Sequence, residues 1–390
     1  MCPTLFTSRS RDDKSPALHN EPTSTFLDRV AGDYWDQVRD QLEGWIEHYP
    51  APHVRDVIGR LRSSENAQWL GAFWELYLYE SFVRSELEVE IHPTVPGGPR
   101  PPDFLVRGGS EGPFYVEAKS VFGPSDGSGA RLNTIYDIIN AIKVADFFVA
   151  VEVESVGAEA PPTRRLRSGL RDWLKSLDAD DIRPSSLLDP DADRWTWTEG
   201  AWRISFRPLP VRAEARGRPH RLIGMWSPRA GFVDDETPLR DALKEKGAAY
   251  GELEYPLVLA VNGATGFDRS FETINALYGS AQVTFSLANP GEARETRATN
   301  GYWGYPGGWK HRHVAGVLAG SISGPESVTT NAPTLWLHPD PVQRIVTLAI
   351  WSQVNLEGDR IETSQPARPL GAFFGLPEGW PLGDPFPRDL

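Results

Sequence analysis

The sequence predicts an α/β protein with a mixed central sheet flanked by helices, and three observations predict it. A long segment at 65–84 is apolar almost all round and is followed by three short strand-like runs in succession. Two strongly apolar runs, at 147–153 and 256–262, each follow a helical pattern, which is the grammar of a buried strand entered through a crossover. The 390 residues are 40% hydrophobic and 24% charged, so a packed core is within reach and wholly disordered or fibrous readings are excluded.

Residues 1–22 are polar and without period, and read as a disordered tail. Over 23–48, Phe26, Val30, Trp35, Val38, Leu42, Trp45 and Ile46 recur at helical spacing until Pro50 and Pro52 stop the pattern. A shorter amphipathic stretch at 53–61 completes an N-terminal helical region, 23–64. In the next helix, 65–84, residues such as Trp69, Phe73, Trp74, Tyr77 and Phe82 surround the axis, so it is buried. The runs at 87–92, 103–107 and 114–122, separated by Pro/Gly turns, read as a meander. Ile135, Ile138, Ile139 and Ile142 share one helical face ahead of the 147–153 strand. Beyond lie a helix at 164–177 that is basic on one side, a Trp-rich hairpin at 195–211, a helix at 239–250 and the strand PLVLAVN at 256–262. These make one α/β core over 65–262 with an inserted hairpin. An irregular C-terminal extension follows over 263–365, with strands at 314–318, 334–337 and 345–350, and then a Pro-rich tail over 366–390.

Cys2 is the single cysteine, which excludes an internal disulfide; the first 14 residues hold no apolar run of signal-peptide length, and no window nears the ~18 apolar residues of a membrane span. A cytoplasmic protein that does not enter a membrane is the expectation. The net charge of −13 requires any nucleic-acid partner to meet a locally basic surface.

The densest chemistry lies in 101–120. Side chains alternate on a strand, so Glu117 and Lys119 share a face with Ala118 turned away, and Asp103 opens the neighbouring strand. If the two strands pair, Asp103 and Glu117 meet at one end of the sheet beside an ammonium group. Buried carboxylates without a partner are costly, and a hard cation such as Mg²⁺, typically held by one or two carboxylates with water and phosphate oxygens, removes the difficulty. Glu75 adds a carboxylate on the apolar helix, with no base three or four residues away to pair with it. A solvated edge with a cross-strand ion pair would use the same Glu-Ala-Lys. The apolar neighbours Tyr115, Val116 and Ala118, and the scarcity of Lys (seven in the chain), favour chemistry.

The order helical Glu, Pro-Asp, Glu-x-Lys (Glu75, Pro102-Asp103, Glu117-Ala118-Lys119) resembles the PD-(D/E)XK nuclease superfamily. The resemblance implies a restriction-endonuclease-like fold over about 65–155, with the helix and strand of 132–153 completing the family's core order. It implies Asp103, Glu117 and the Ala118 carbonyl as ligands of Mg²⁺, or Mn²⁺ in its place, Glu75 as a contributor to that site, and Lys119 as the group that orients or activates water. The implied activity is metal-dependent hydrolysis of phosphodiesters, DNA before RNA, in a setting such as bacterial defence. A catalytically inactive nucleic-acid- or protein-binding module of the same fold is the alternative, and a protein partner or a homodimer is compatible with either. Gly123-Pro-Ser125-Asp-Gly127 also fits the G-x-S-x-G of a hydrolase elbow, although Pro124 and the long loop suit its sharp turn poorly. Candidate phosphate contacts are Arg164, Arg165, Arg167 and Arg171 on one helix, the group Arg212, Arg216, Arg218, His220 and Arg221, and Lys310 with His311, Arg312 and His313. Near the last lie Trp303, Tyr305 and Trp309, rings on which bases could stack.

Overall fold

A computed structural model of the chain describes residues 3–95, 100–108, 112–121, 128–161, 163–182, 193–218, 220–226, 236–250, 253–263, 270–286, 289–305, 307–345, 348–357 and 360–387. The chain forms two compact units. The first is Met1–Pro16, Pro22–Phe122 and Asp234–Leu390; the second is Ala17–Glu21 and Gly123–Val233. Where the sequence reading expects one core over 65–262, the second unit is an insertion in the first.

The first unit opens with α1 (Thr23–Arg29), α2 (Asp33–His48), α3 (Val54–Leu61) and α4 (Asn66–Arg84). The 23–48 periodicity predicts a single helix; the break falls at Gly32, whose φ of 118° belongs to a region that side chains with a Cβ avoid. Residues 3–16 are laid against these helices rather than forming a disordered tail. Glu43 accepts from the backbone N–H of Leu5 and Phe6, Asp28 from that of Thr7, and Asp13 bridges Val30. Such main-chain-to-carboxylate anchors leave no apolar period to read.

Helix α4 is buried as expected, and its Trp74 indole donates to the Ala260 carbonyl at 3.0 Å. The meander is β1 (Glu88–Ile91), β2 (Phe104–Arg107) and β3 (Phe114–Val121), paired antiparallel with Phe104 opposite Val116. Phe104 and Phe114 meet Phe82 of α4 on one face of the sheet, which by alternation turns Tyr115, Glu117 and Lys119 to the other.

The second unit holds α5 (Ser128–Asn140), β4 (Phe147–Ser155), α6 (Thr163–Lys175), β5 (Trp195–Glu199), β6 (Trp202–Pro210) and β7 (Ile223–Trp226), with strand order β5-β6-β4-β7. Its core joins Ile135 and Ile139 to Val149, Val151, Leu166, Leu170, Trp197 and Trp202. The helix and strand expected at 132–153 to complete the main core therefore belong here.

The chain then continues with α7 (Glu236–Gly247), β8 (Leu257–Gly263), α8 (Ser270–Tyr278), β9 (Ala281–Ser286), β10 (Asn289–Arg297), β11 (Val314–Gly320), β12 (Thr334–Leu337), β13 (Ser352–Glu357), β14 (Arg360–Ser364) and α9 (Leu370–Phe374). The main sheet is mixed and eight-stranded, in the order β1-β2-β3-β8-β11-β12-β13-β14, with β8 parallel to both β3 and β11. Helix α7 covers the face that carries Tyr115, packing Leu239, Ala242 and Leu243 against it. The region expected as an irregular extension supplies half of this sheet. All seven residues of β11 are buried, so its apolarity reflects a place in the sheet interior. The strand expected at 345–350 lies instead at Ser352–Glu357. The Pro-rich tail packs on the first helices: Phe374 meets the rings of Trp45 and Tyr77 at 5.2 and 5.5 Å, and the Trp35 indole donates to the Pro385 carbonyl. Among the described residues no helix is long and apolar enough to cross a membrane.

Candidate catalytic site

The β2/β3 register, continued by one residue, sets Asp103 opposite Glu117. Asp103 stands just before β2 because Pro101 and Pro102 end pairing there, and its Oδ2 accepts from the Ala118 N–H at 2.7 Å. Its carboxyl pKa is pushed up to about 7, first by burial and then by the negative charges of Glu117 and Glu75, against the opposing pull of the Ala118 N–H and the Lys246 ammonium. Burial and two nearby carboxylates thus oppose the charge on Asp103, a condition that a cation relieves.

Glu117 is only 3% exposed and is fully engaged. Oε1 accepts from Arg100 at 3.0 Å and from the Lys246 ammonium, and Oε2 accepts from the Tyr250 hydroxyl, whose own pKa is raised by burial and by that bond. Arg100 also lies over the Tyr250 ring, 5.7 Å from its centre. Lys119, on the same face of β3, reaches Glu245 at 3.3 Å; it is 32% exposed and Glu245 61%. Helix α7 therefore answers β3 with two adjacent residues, Glu245 for Lys119 and Lys246 for Glu117.

Glu75 does have a base, from another helix. Arg60 of α3 donates to both its oxygens at 2.7 and 2.6 Å. Its charge still reaches Asp103, as the raised pKa there records. Among the described residues no three His, Cys, Asp or Glu side chains lie close enough to hold a metal ion by themselves.

The sequence reading missed Arg60, Arg100, Glu245, Lys246 and Tyr250. One signal was present: two of the seven lysines, Lys244 and Lys246, fall in one helical turn, with Tyr250 four residues beyond Lys246.

The remaining candidates are divided between the two units. Arg164, Arg165, Arg167 and Arg171 line the exposed side of α6 in the second unit, with Arg165 3.6 Å from Glu199 and Arg171 3.1 Å from Asp172. In the same unit Arg216 pairs with Asp180, and the His220 Nε2 hydrogen-bonds the Phe147 carbonyl. Lys310 is exposed in the first unit, and Arg312 pairs with Asp340 at 3.1 Å. Ser125 lies outside the described residues. Residues 123–233 carry sixteen Lys and Arg against fifteen Asp and Glu, so the excess of acid belongs to the rest of the chain, which holds this site.

No family model, curated protein or solved structure matches the chain.

Proposed function

We propose that the first unit is a metal-dependent phosphodiesterase of the PD-(D/E)XK kind, acting on nucleic acid and on DNA first. The observation that carries this reading is the facing of Asp103 and Glu117 across adjacent strands, with Lys119 two residues along the same face. The order α4, β1, β2, β3, α7, β8, with β8 parallel to β3, supports a restriction-endonuclease-like core. In the sequence the second unit interrupts this core between β3 and α7, and 132–153 belongs to that unit.

The donor set suits Mg²⁺. The ion needs one or two carboxylates and fills its octahedron with water and phosphate oxygens, so a three-acid cluster is not required. A carboxyl whose pKa is raised by burial and then by acidic neighbours is the kind of group such an ion stabilises. Asp103, Glu117 and the Ala118 carbonyl would hold it. When bound, the ion supplies positive charge at the phosphate and acidifies water. The protein's own work is then positional. The Lys119–Glu245 pair is exposed and worth little, so the ammonium can leave it for a phosphate oxygen or the attacking water. Arg100, half exposed beside Glu117, offers a second cation to a phosphate, and Arg60 fixes the Glu75 carboxylate through both its oxygens.

The test is cleavage of single- and double-stranded DNA and RNA with Mg²⁺. Lys119→Ala should lower cleavage about 100-fold by removing one preorganised cation, while thermal stability moves by no more than about 0.5 kcal/mol, as expected for an exposed pair. Cleavage that survives this substitution would remove Lys119 from the mechanism.

A second reading, a non-catalytic binding module of the same fold, is favoured by one observation: Glu117 and Glu75 are already matched by Lys246, Arg100 and Arg60. Under it, Mg²⁺ neither supports cleavage nor raises the melting temperature.

A further inference from the structure

The aromatic residues singled out near Lys310 do not join the carboxylate site; with α8 they line a cavity of their own. Its volume is about 410 Å³, and its walls include Ile274 and Tyr278 of α8, Arg297 at the end of β10, Tyr305 and Trp309. That size falls within the roughly 300–1,000 Å³ of sites for small organic ligands.

The cavity is built rather than left over. Tyr278 is buried, and its ring meets Trp309 edge to face at 6.1 Å and Trp303 at 5.8 Å. The loop that carries Tyr305 and Trp309 turns through Gly304 and Gly307, with φ of 86° and 85°, and closes when Lys310 N–H donates to the Trp303 carbonyl at 2.8 Å. A Cβ on Gly304 would come within 2.8 Å of the Gly308 carbonyl oxygen, and one on Gly308 would meet the Tyr305 ring at 3.0 Å. The glycines let the loop fold tightly enough to hold the Tyr305 ring against its own backbone. That ring is nevertheless 48% exposed, a large aromatic group at the rim with one side open.

Charge decides which flat ligand fits. Aromatic walls attract either a planar π system or an organic cation. Arg297 stands in this wall, its Nη1 donating to the Asn275 side-chain oxygen at 3.1 Å and the Gly279 carbonyl at 2.8 Å, and it forms an ion pair with no acidic side chain among the described residues. A guanidinium in the wall repels a cationic guest and favours a ring rich in acceptors or one that bears a phosphate; the exposed Lys310 next to Trp309 adds to that field. Leu356 and Ile361 complete the apolar part of the lining, and Thr299 adds a polar side chain to it.

We propose that this cavity is a nucleobase site, in which a base stacks against Tyr305 and Trp309 while Arg297 meets its acceptor edge or its phosphate. The proposal rests on the nuclease reading for its occupant's most natural source, an unpaired base of the substrate strand. A free nucleotide carries the same chemistry.

The experiment separates the two readings by measuring binding in EDTA, where no cleavage is needed. Fluorescence anisotropy of a labelled single-stranded DNA oligonucleotide, and competition by adenosine and thymidine monophosphates, are compared for the full chain and for Tyr305→Ala, Trp309→Ala and Trp309→Phe. Loss of a stacked base should weaken binding about 5- to 150-fold in the Ala variants, with Phe restoring most of it. Dependence seen with the oligonucleotide assigns the site to the substrate strand; dependence seen with mononucleotides alone assigns it to a free nucleotide. If neither probe responds to Tyr305→Ala, whose exposed ring can be removed without unfolding the chain, the proposal is overturned. The nuclease reading fails separately, if Mg²⁺-dependent cleavage is absent while binding still follows Tyr305 and Trp309.

Discussion

Asp103→Asn should lower Mg²⁺-dependent cleavage by about 1,000-fold or more, the scale on which loss of charge stabilisation at a reacting phosphate is felt. The same substitution should make the protein more stable at pH 8. The amide oxygen still accepts from the Ala118 N–H, so the local bond survives. What is lost is a charge that burial and the neighbouring Glu117 and Glu75 oppose. With the folded carboxyl near 7 and its ordinary value at 3.8, the folded chain keeps this proton over a range where the unfolded chain has released it. Stability from this group is fully present below 3.8 and is lost as pH rises through about 7. The variant should therefore exceed the parent by less at pH 5, where the loss has only begun, than at pH 8, where the difference is complete and on the order of 1–2 kcal/mol after discounting for partial exposure. Thermal melts in EDTA at the two pH values check the sign. A variant that is destabilised equally at both would show that Asp103 is a structural acceptor and nothing more. Excess Mg²⁺ at pH 8 should raise the melting temperature of the parent and leave that of Asp103→Asn unchanged.

Glu117→Ala is expected to be costly in both respects. The carboxylate is buried and matches the Lys246 ammonium, the Tyr250 hydroxyl and Arg100, so its removal strands a largely buried cation and a hydroxyl, at about 3–5 kcal/mol. Lost cleavage in this variant could reflect unfolding alone. Glu117→Gln separates the causes, because its amide oxygen can still accept from Lys246 and Arg100 while its NH2 donates to the Tyr250 oxygen. It should fold with a smaller loss of stability yet cleave as poorly as Glu117→Ala, as urea unfolding and the cleavage assay would show. Full activity in a folded Glu117→Gln protein would exclude this carboxylate from metal binding.

Much of the candidate site was legible in the sequence because its geometry is local. The alternation Tyr115, Glu117, Lys119 fixes a shared face wherever the strand goes, and turn residues on either side fix its ends near Phe114 and Val121. Asp103 could be set near Glu117 because a short connection leaves two neighbouring strands little choice but to pair antiparallel. The counter-charges were not legible. Arg60 reaches Glu75 from a different helix, and Lys246 reaches Glu117 across 129 positions that include residues 123–233 of the second unit. Nothing in the spacing of either residue records those meetings.

The completion of the main sheet shows the same limit. Two segments of this chain present a helical pattern followed by a buried strand, one ending in β4 and the other in β8, and their periodicities are equivalent. Hydrophobic pattern states that a strand is covered on both faces; it does not state by what. The sequence by itself determined most elements between Asn66 and Gly263, the shared face of Glu117 and Lys119, and the excess of acid over base. Tertiary structure decided that β8 and not β4 lies beside β3, that α7 brings Lys246 and Tyr250 to Glu117, and that the aromatic loop at 303–309 joins α8 around a cavity. Those outcomes depend on contacts between residues far apart in the chain, whose free energy is set by which surfaces fit together and not by the order in which the residues are written.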